Sequence, residues 1–181
     1  GSMFSGKTEE LIRRLRRAQF AQQKIEIFRP AIDLRYDDEL VTSHDQNQIR
    51  STPVPAAANI PILADGCDVV GIDEAQFFDD EIIQVCNDLA NRGIRVIVAG
   101  LDMDYQGNPF GPMPGLMATA EYVTKVHAIC TQTGNLANYS YRTSAEDELV
   151  LLGEKEHYEP LSRAAFFNAK KKITKSKKKK S

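Results

Sequence analysis

VVGIDEAQF, residues 69–77, opens as a small and apolar run and ends in two adjacent acids before a short apolar stretch. Preceded by Asp68, the run suits a strand buried on both faces, as the strands of parallel sheets are. Asp73 and Glu74 then stand at its carboxyl end. An acid in that place, following a phosphate-binding loop, supports the coordination shell of a Mg²⁺ ion. The competing reading makes the acid an N-cap of the next helix. Two consecutive acids favour the metal reading. Asp73 is expected to orient Mg²⁺ water, and Glu74, next along a bending chain, to point elsewhere and serve as a general base.

The loop itself is at the start. GSMFSGKT, residues 1–8, fits G-x-x-x-x-G-K-[ST]. In such a loop the backbone N–H groups of Gly1, Ser2, Met3, Phe4, Ser5 and Gly6 turn inward on a phosphate. The following helix adds its positive end. Lys7 reaches the β- and γ-phosphates, and the Thr8 hydroxyl holds Mg²⁺. Gly-Ser-Met is also what a cleaved tag leaves behind, but SGKT leading straight into an amphipathic helix favours the phosphate loop. A parallel sheet would normally feed a strand into this loop, so the natural chain is expected to extend upstream by a short β-strand.

Working outward, residues 9–23 carry Leu11, Ile12, Leu15 and Ala18 at helical spacing, with arginines on the other face. KIEIF, 24–28, alternates as a short strand that Pro30 stops. A polar stretch from Ala31 to Gln48 reads as a loop with some extended structure. Residues 79–93 form a helix with acids at its start and Gly93 beyond its end. IRVIVAG, 94–100, is a second buried strand. Strands alternating with helices predict an α/β domain with a parallel sheet over residues 1–125. Beyond that, short strands around a turn and a final helix over 160–172 predict a small β-rich subdomain at 126–168. Residues 169–181 read as a disordered lysine-rich tail.

Composition narrows the function. The chain has 181 residues and a formal charge of −2, but its last twelve residues hold eight lysines and no acid. Without them 15 basic side chains face 25 acidic ones, so residues 1–169 carry −10. An acidic body argues against a nucleic-acid groove. The tail is read as a solvated end, with contact to nucleic acid or an anionic surface as the alternative. No apolar run approaches the ~20 residues of a membrane span. Cys67, Cys86 and Cys130 are too few and too scattered for a disulfide framework, which points to a reducing, cytoplasmic setting.

Phosphoryl transfer needs positioning and charge neutralisation more than covalent chemistry. A cation beyond Lys7 is therefore expected, and Arg35 in DLRYDD is the candidate, with Asp33 beside it for the metal shell. Two classes fit these residues. One is a small-molecule kinase whose base activates a substrate hydroxyl; the other is a P-loop ATPase acting on a nucleic-acid or protein partner. A GTPase is disfavoured because no N-K-x-D guanine-reading motif occurs.

Larger stretches then carry a resemblance. GSMFSGKT, DLRY, SHD, GIDEAQFF, VAGLDMDYQGNPFG and LLGEKEHYEPLSRAAFF follow in this order. Together they closely resemble the type II thymidine kinases, the tetrameric cytosolic kind. The resemblance implies a RecA-like P-loop domain, a small zinc-ribbon-like lasso, and ATP-dependent phosphorylation of the thymidine 5′-hydroxyl in nucleotide salvage for DNA synthesis. It implies ATP binding by Gly1 to Thr8, Asp33, Arg35, Asp73, Glu74, Ala75 and Gln76. Lys7, Arg35 and Glu74 would be the catalytic groups, and Thr8 and Asp73 would support Mg²⁺. Phe77 and Tyr105 would lie near the base. Leu149, Val150, Leu151, Leu152 and Gly153 would bond the base through their backbone, and Tyr158 would lie near the substrate. A homotetramer and feedback inhibition by thymidine triphosphate are further family expectations. Neither a membrane nor a nucleic acid is expected as partner.

One departure stands out. Lassos of this family are usually pinned by zinc through two C-x-x-C pairs. Here Cys130 remains, but Thr133, Leu161 and Ala164 occupy the other three places. Structural zinc needs four ligands, so none is expected. Leu161, Ala164, Ala165 and Phe166 are expected to form an apolar substitute.

Overall fold

The computed structural model describes residues 1–31, 40–42, 48–143 and 157–178. The chain divides into two compact units. One comprises Lys7–Asp102 and Phe110–Thr124; the other comprises Gly1–Gly6, Met103–Pro109 and Lys125–Ser181.

The first unit begins with helix α1, Lys7–Phe20, whose buried face is Leu11, Ile12, Leu15 and Ala18. Strand β1, Ile25–Pro30, follows, then a short antiparallel pair, β2 (Leu40–Thr42) and β3 (Gln48–Arg50). Strand β4 is Thr52–Val54 and helix α2 is Ile60–Leu63. The opening stretch supplies β5, Val69–Ile72, buried at every position. Helix α3 spans Glu81–Asn91, strand β6 Arg95–Val98 and helix α4 Met113–Thr119.

Four of these strands form one sheet in the order β4-β1-β5-β6, and every pair is parallel. Successive side chains of a strand alternate between faces, and the burial follows. Ile27, Val69, Ile97 and Ala99 pack with the apolar face of α1. Phe28, Val54, Val70 and Ile72 pack on the other side with Ile60, Ile82, Val85, Leu89, Met113 and Leu116. Helices therefore cover both faces, which is why β5 reads as an uninterrupted apolar run. Gly71 sits at the centre of β5, and a Cβ there would meet Leu15 Cδ1 at 2.8 Å, so glycine lets α1 lie close on the sheet.

Pro30 closes β1 rather than stopping it at residue 28; it pairs with Val54 as the last residue of the strand. A proline lacks the ladder donor, and that donor is least missed at a strand end. β4, α2 and α4 have no counterpart in the reading of the sequence, being too short to show a period.

In the second unit, β7 (Ala128–Ile129) and β8 (Leu136–Ala137) make one antiparallel pair. β9 (Tyr139–Arg142) and β10 (Tyr158–Leu161) make another. Helix α5 runs Arg163–Lys178. The core is Ala128, Cys130, Ala137, Tyr139, Leu161, Ala165 and Phe166, with Phe4, Met103 and Tyr141 packed against it. Tyr139 and Phe166 stack with centroids 4.4 Å apart.

The small unit is thus larger than residues 126–168. Phe4 joins its core, Ser2 Oγ donates to the Ala137 carbonyl at 3.3 Å, and the Met3 N–H donates to Ser140 Oγ at 2.9 Å. Gly107, at φ 85°, has Phe166 and Tyr139 within 3.2 Å of where its Cβ would stand, which draws in the turn 103–109. At the carboxyl end, Pro160 and Leu161 belong to β10, not to the last helix. The backbone stays helical through Lys178, beyond the start of the expected tail at 169; the segment contains neither glycine nor proline, and lysine is a good helix former.

Among the described residues, no helix is long and apolar enough to cross a membrane.

Candidate active site

The loop at the start of the chain has the backbone a phosphate cradle requires. Phe4 and Gly6 have φ of 61° and 79°, in the left-handed region. Alternation into that region turns successive N–H groups toward one concavity. Ser5 Oγ donates to the Ser2 carbonyl at 2.7 Å and ties the loop across its base. Helix α1 begins at the next residue, Lys7.

In the sheet unit, Thr8 Oγ donates to Asp73 Oδ2 at 3.2 Å, joining the first turn of α1 to the carboxyl end of β5. Asp73 Oδ1 accepts the Glu74 N–H at 2.9 Å. Glu74 has φ 51° and ψ 39°. A non-glycine residue in that region is strained, and such strain concentrates at functional sites. The turn is what sends the two neighbouring carboxylates in different directions.

Gln76 holds the glutamate in place. It is buried; its side-chain N–H donates to Glu74 Oε2 at 2.5 Å, and its Oε1 accepts the Leu101 N–H at 2.9 Å. The Ala75 N–H donates to the Ala99 carbonyl at 3.0 Å. Glu74 is thereby fixed to the chain leaving β6. Gly111 makes room for this arrangement, since a Cβ there would strike the Gln76 carbonyl. Phe77 lies edge-on to Phe110, with centroids 5.6 Å apart.

The electrostatics concentrate here. Burial pushes the Lys7 ammonium below the ordinary lysine value, against the pull of Glu74, Asp73, Asp102 and Glu9. Burial, followed by the charge of Glu74, raises the Asp73 carboxyl to about 7, against the Glu74 N–H, Lys7 and Thr8. Both directions have one leading cause: burial penalises the charged form of each group. Asp102 is buried in the chain beyond β6 and acts on Lys7. The reading of the sequence passed over it. Its signal was position, an acid just past the end of the second buried strand.

The donor set suits Mg²⁺. Asp73 and Thr8 present hard oxygens, and Mg²⁺ takes one or two carboxylates plus substrate phosphates rather than a closed protein cage. Among the described residues no group of three His, Cys, Asp or Glu side chains forms such a cage. The four zinc-ligand positions of the family pattern hold one cysteine, a threonine, a leucine and an alanine, a set that does not fit tetrahedral zinc. Cys130 sits with hydroxyls: Thr133 Oγ donates to Ser162 Oγ at 3.5 Å, and, against the effect of burial, these two residues pull the Cys130 thiol below its ordinary value. Leu161 is fully buried in the core with Ala165 and Phe166. Ala164, expected beside them, is exposed instead, because the first turn of α5 points it outward.

Tyr105 and Tyr158 both lie in the small unit, and both contact Arg142. The Arg142 guanidinium carbon is 3.9 Å from the Tyr105 ring centroid. Its Nε and Nη2 donate to Tyr158 Oη at 3.1 and 2.5 Å. Asp33, Arg35 and Leu149 to Gly153 lie outside the described residues.

Comparison with known proteins agrees with this chemistry. A family model described as thymidine kinase matches residues 1–166. A thymidine kinase of Bacteroides thetaiotaomicron is 62% identical over 170 residues, covering 94% of this chain and 85% of that one. One of Porphyromonas gingivalis is 59% identical, with 92% of this chain and 81% of that one covered. One of Rhodothermus sp. is 60% identical, with coverages of 92% and 78%. The family match over residues 1–166 and relatives of this likeness lead to one conclusion: the chain belongs to the thymidine kinase family.

Proposed function

We propose that the chain transfers the γ-phosphoryl group of ATP to the 5′-hydroxyl of thymidine, giving thymidine monophosphate. The observation that carries the chemistry is the cluster Lys7, Thr8, Asp73 and Glu74 at the carboxyl end of β5. Family membership supplies the substrates. The comparisons give no support to a P-loop ATPase working on a macromolecular partner.

In this reading the loop from Gly1 to Gly6 holds the ATP phosphates with its N–H groups. Lys7, kept close to its carboxylate neighbours by burial, offsets charge on the β- and γ-phosphates. Thr8 and Asp73 hold Mg²⁺, which when bound neutralises charge developing on the phosphate oxygens. Glu74 takes the proton of the 5′-hydroxyl. Gln76 clamps Oε2 of that carboxylate, so Oε1 is the oxygen it offers to the substrate. A base held by one hydrogen bond and a strained backbone enters the reaction already oriented.

Asp33 and Arg35 would approach the phosphates, and Ala75 and Gln76 the nucleotide. Phe77, Tyr105, Tyr158 and the backbone of Leu149 to Gly153 would receive the nucleoside. A cytoplasmic homotetramer inhibited by thymidine triphosphate completes the family-based picture. The lasso is held without zinc.

The test is ATP consumption across a panel of nucleosides, with DNA as a further addition. Consumption that requires thymidine is the expected result. Consumption that ignores nucleosides and rises with DNA would overturn the proposal.

A further inference from the structure

We infer that Arg142 positions the nucleoside-binding tyrosines and so determines affinity for thymidine. The inference rests on the proposed assignment of Tyr105 and Tyr158 to the thymidine site.

Arg142 is the last described residue of β9, and its cross-strand partner is Tyr158, the first residue of β10. The pairing puts the two side chains on the same face of a two-stranded ribbon. Arg142 is 6% exposed. Burying a guanidinium is costly unless its donors and its charge are engaged, and here it engages both tyrosines. Its carbon lies 3.9 Å from the centre of the Tyr105 ring and 5.2 Å from that of Tyr158. The first distance is that of a close cation–π contact. It fixes the plane of Tyr105, which arrives on a turn and has no regular strand or helix to orient it.

The contact with Tyr158 does more than hold it. A phenol oxygen can accept two hydrogen bonds and donate one. The Arg142 Nε–H and Nη2–H both donate to Tyr158 Oη. Its acceptor capacity is then spent, so its own proton is left to be donated. Tyr158 is set up to recognise an oxygen acceptor on the ligand, a carbonyl or a ribose oxygen, and to discriminate against a donor. The fork geometry matters, because an ammonium group at this position cannot present two parallel N–H groups to one oxygen. No local pattern announces this role. An arginine in a strand reads as a solvated residue, and its partners are 37 residues before it and 16 after.

The test is steady-state kinetics of the full chain with thymidine and ATP varied separately. Arg142→Lys keeps the charge and removes the fork. Tyr158→Phe removes only the hydroxyl and keeps the ring beside the guanidinium. Each is expected to raise KM for thymidine about tenfold, the effect of one hydrogen bond to a ligand, with KM for ATP within about twofold of wild type. Because Arg142 acts through the Tyr158 hydroxyl, the double variant should be no worse than either single one. Thermal melts of the same samples report folding, and Tyr158→Phe carries the test if Arg142→Lys melts early. A thymidine KM unchanged in Arg142→Lys but raised in Tyr158→Phe overturns the inference and leaves the site assignment standing. A thymidine KM unchanged in both overturns the site assignment, and the inference with it. Losses that add in the double variant, or that fall equally on both substrates, assign Arg142 a structural role and overturn the inference too.

Discussion

Each unit of this protein sets a basic side chain in a distinct environment: Lys7 is half-buried and Arg142 is buried. Lys7, in the sheet unit, is surrounded by the charges of Glu74, Asp73, Asp102 and Glu9. Arg142, in the small unit, is held by the rings of Tyr105 and Tyr158 and by the Tyr158 hydroxyl. The first arrangement is a field of charges, and it suits a ligand that is itself charged. The second includes two aromatic rings that meet the guanidinium. In the proposed reading Lys7 serves the charged donor and the Tyr105–Arg142–Tyr158 group serves the base.

Substitutions can break this contrast. The largest effect is expected at Lys7. Lys7→Ala removes the cation from the charged cluster, and kcat/KM for ATP should fall by about 10³-fold, the upper range for one preorganised electrostatic group. KM for thymidine should change little, the reverse of what is expected at Arg142. Equal losses for both substrates would abolish the division of labour.

The next effect is on stability. Phe166 is fully buried, stacked on Tyr139 and edge-on to Tyr141. Phe166→Ala should destabilise the small unit by about 3 kcal/mol or more, read by limited proteolysis within Lys125–Ser181 and by thermal melting. The smallest effect sharpens the same point. A strong zinc chelator should leave the melting temperature of the wild type unchanged if, as proposed, packing around Tyr139, Leu161 and Phe166 holds the lasso. Stoichiometric zinc in the purified protein, with a melting temperature that drops on chelation, would sink this account of the lasso.

How far the sequence reaches follows the same division. β5, β6, α1 and α3 were legible because a sheet covered on both faces writes its periods plainly into the chain. The loop and the acid pair were legible because their spacing is short and their chemistry constrained. Asp102 was missed because no period marks it; only the end of β6 brings it toward Lys7. The small unit was legible as β-rich but not in its extent. Ser2 and Ala137 meet across 135 residues, and Phe4 fills a core made otherwise by residues beyond 100. Nothing local in GSMFSGKT announces that its first residues belong with the carboxyl-terminal part. Ala164 illustrates the limit at single-residue scale. A composition argument placed it in the apolar plug, whereas the phase of α5 turns it to solvent.

The central claim is that Glu74, set by its left-handed backbone and its bond to Gln76, is the base for the 5′-hydroxyl. The most direct measurement pairs ATP binding with thymidine-dependent phosphoryl transfer in wild type and Glu74→Gln. Glutamine keeps the shape and cannot take the proton. The account predicts ATP binding within about threefold of wild type and turnover lower by about 10²- to 10⁴-fold, the range for loss of a positioned base. Turnover equal to wild type would contradict it.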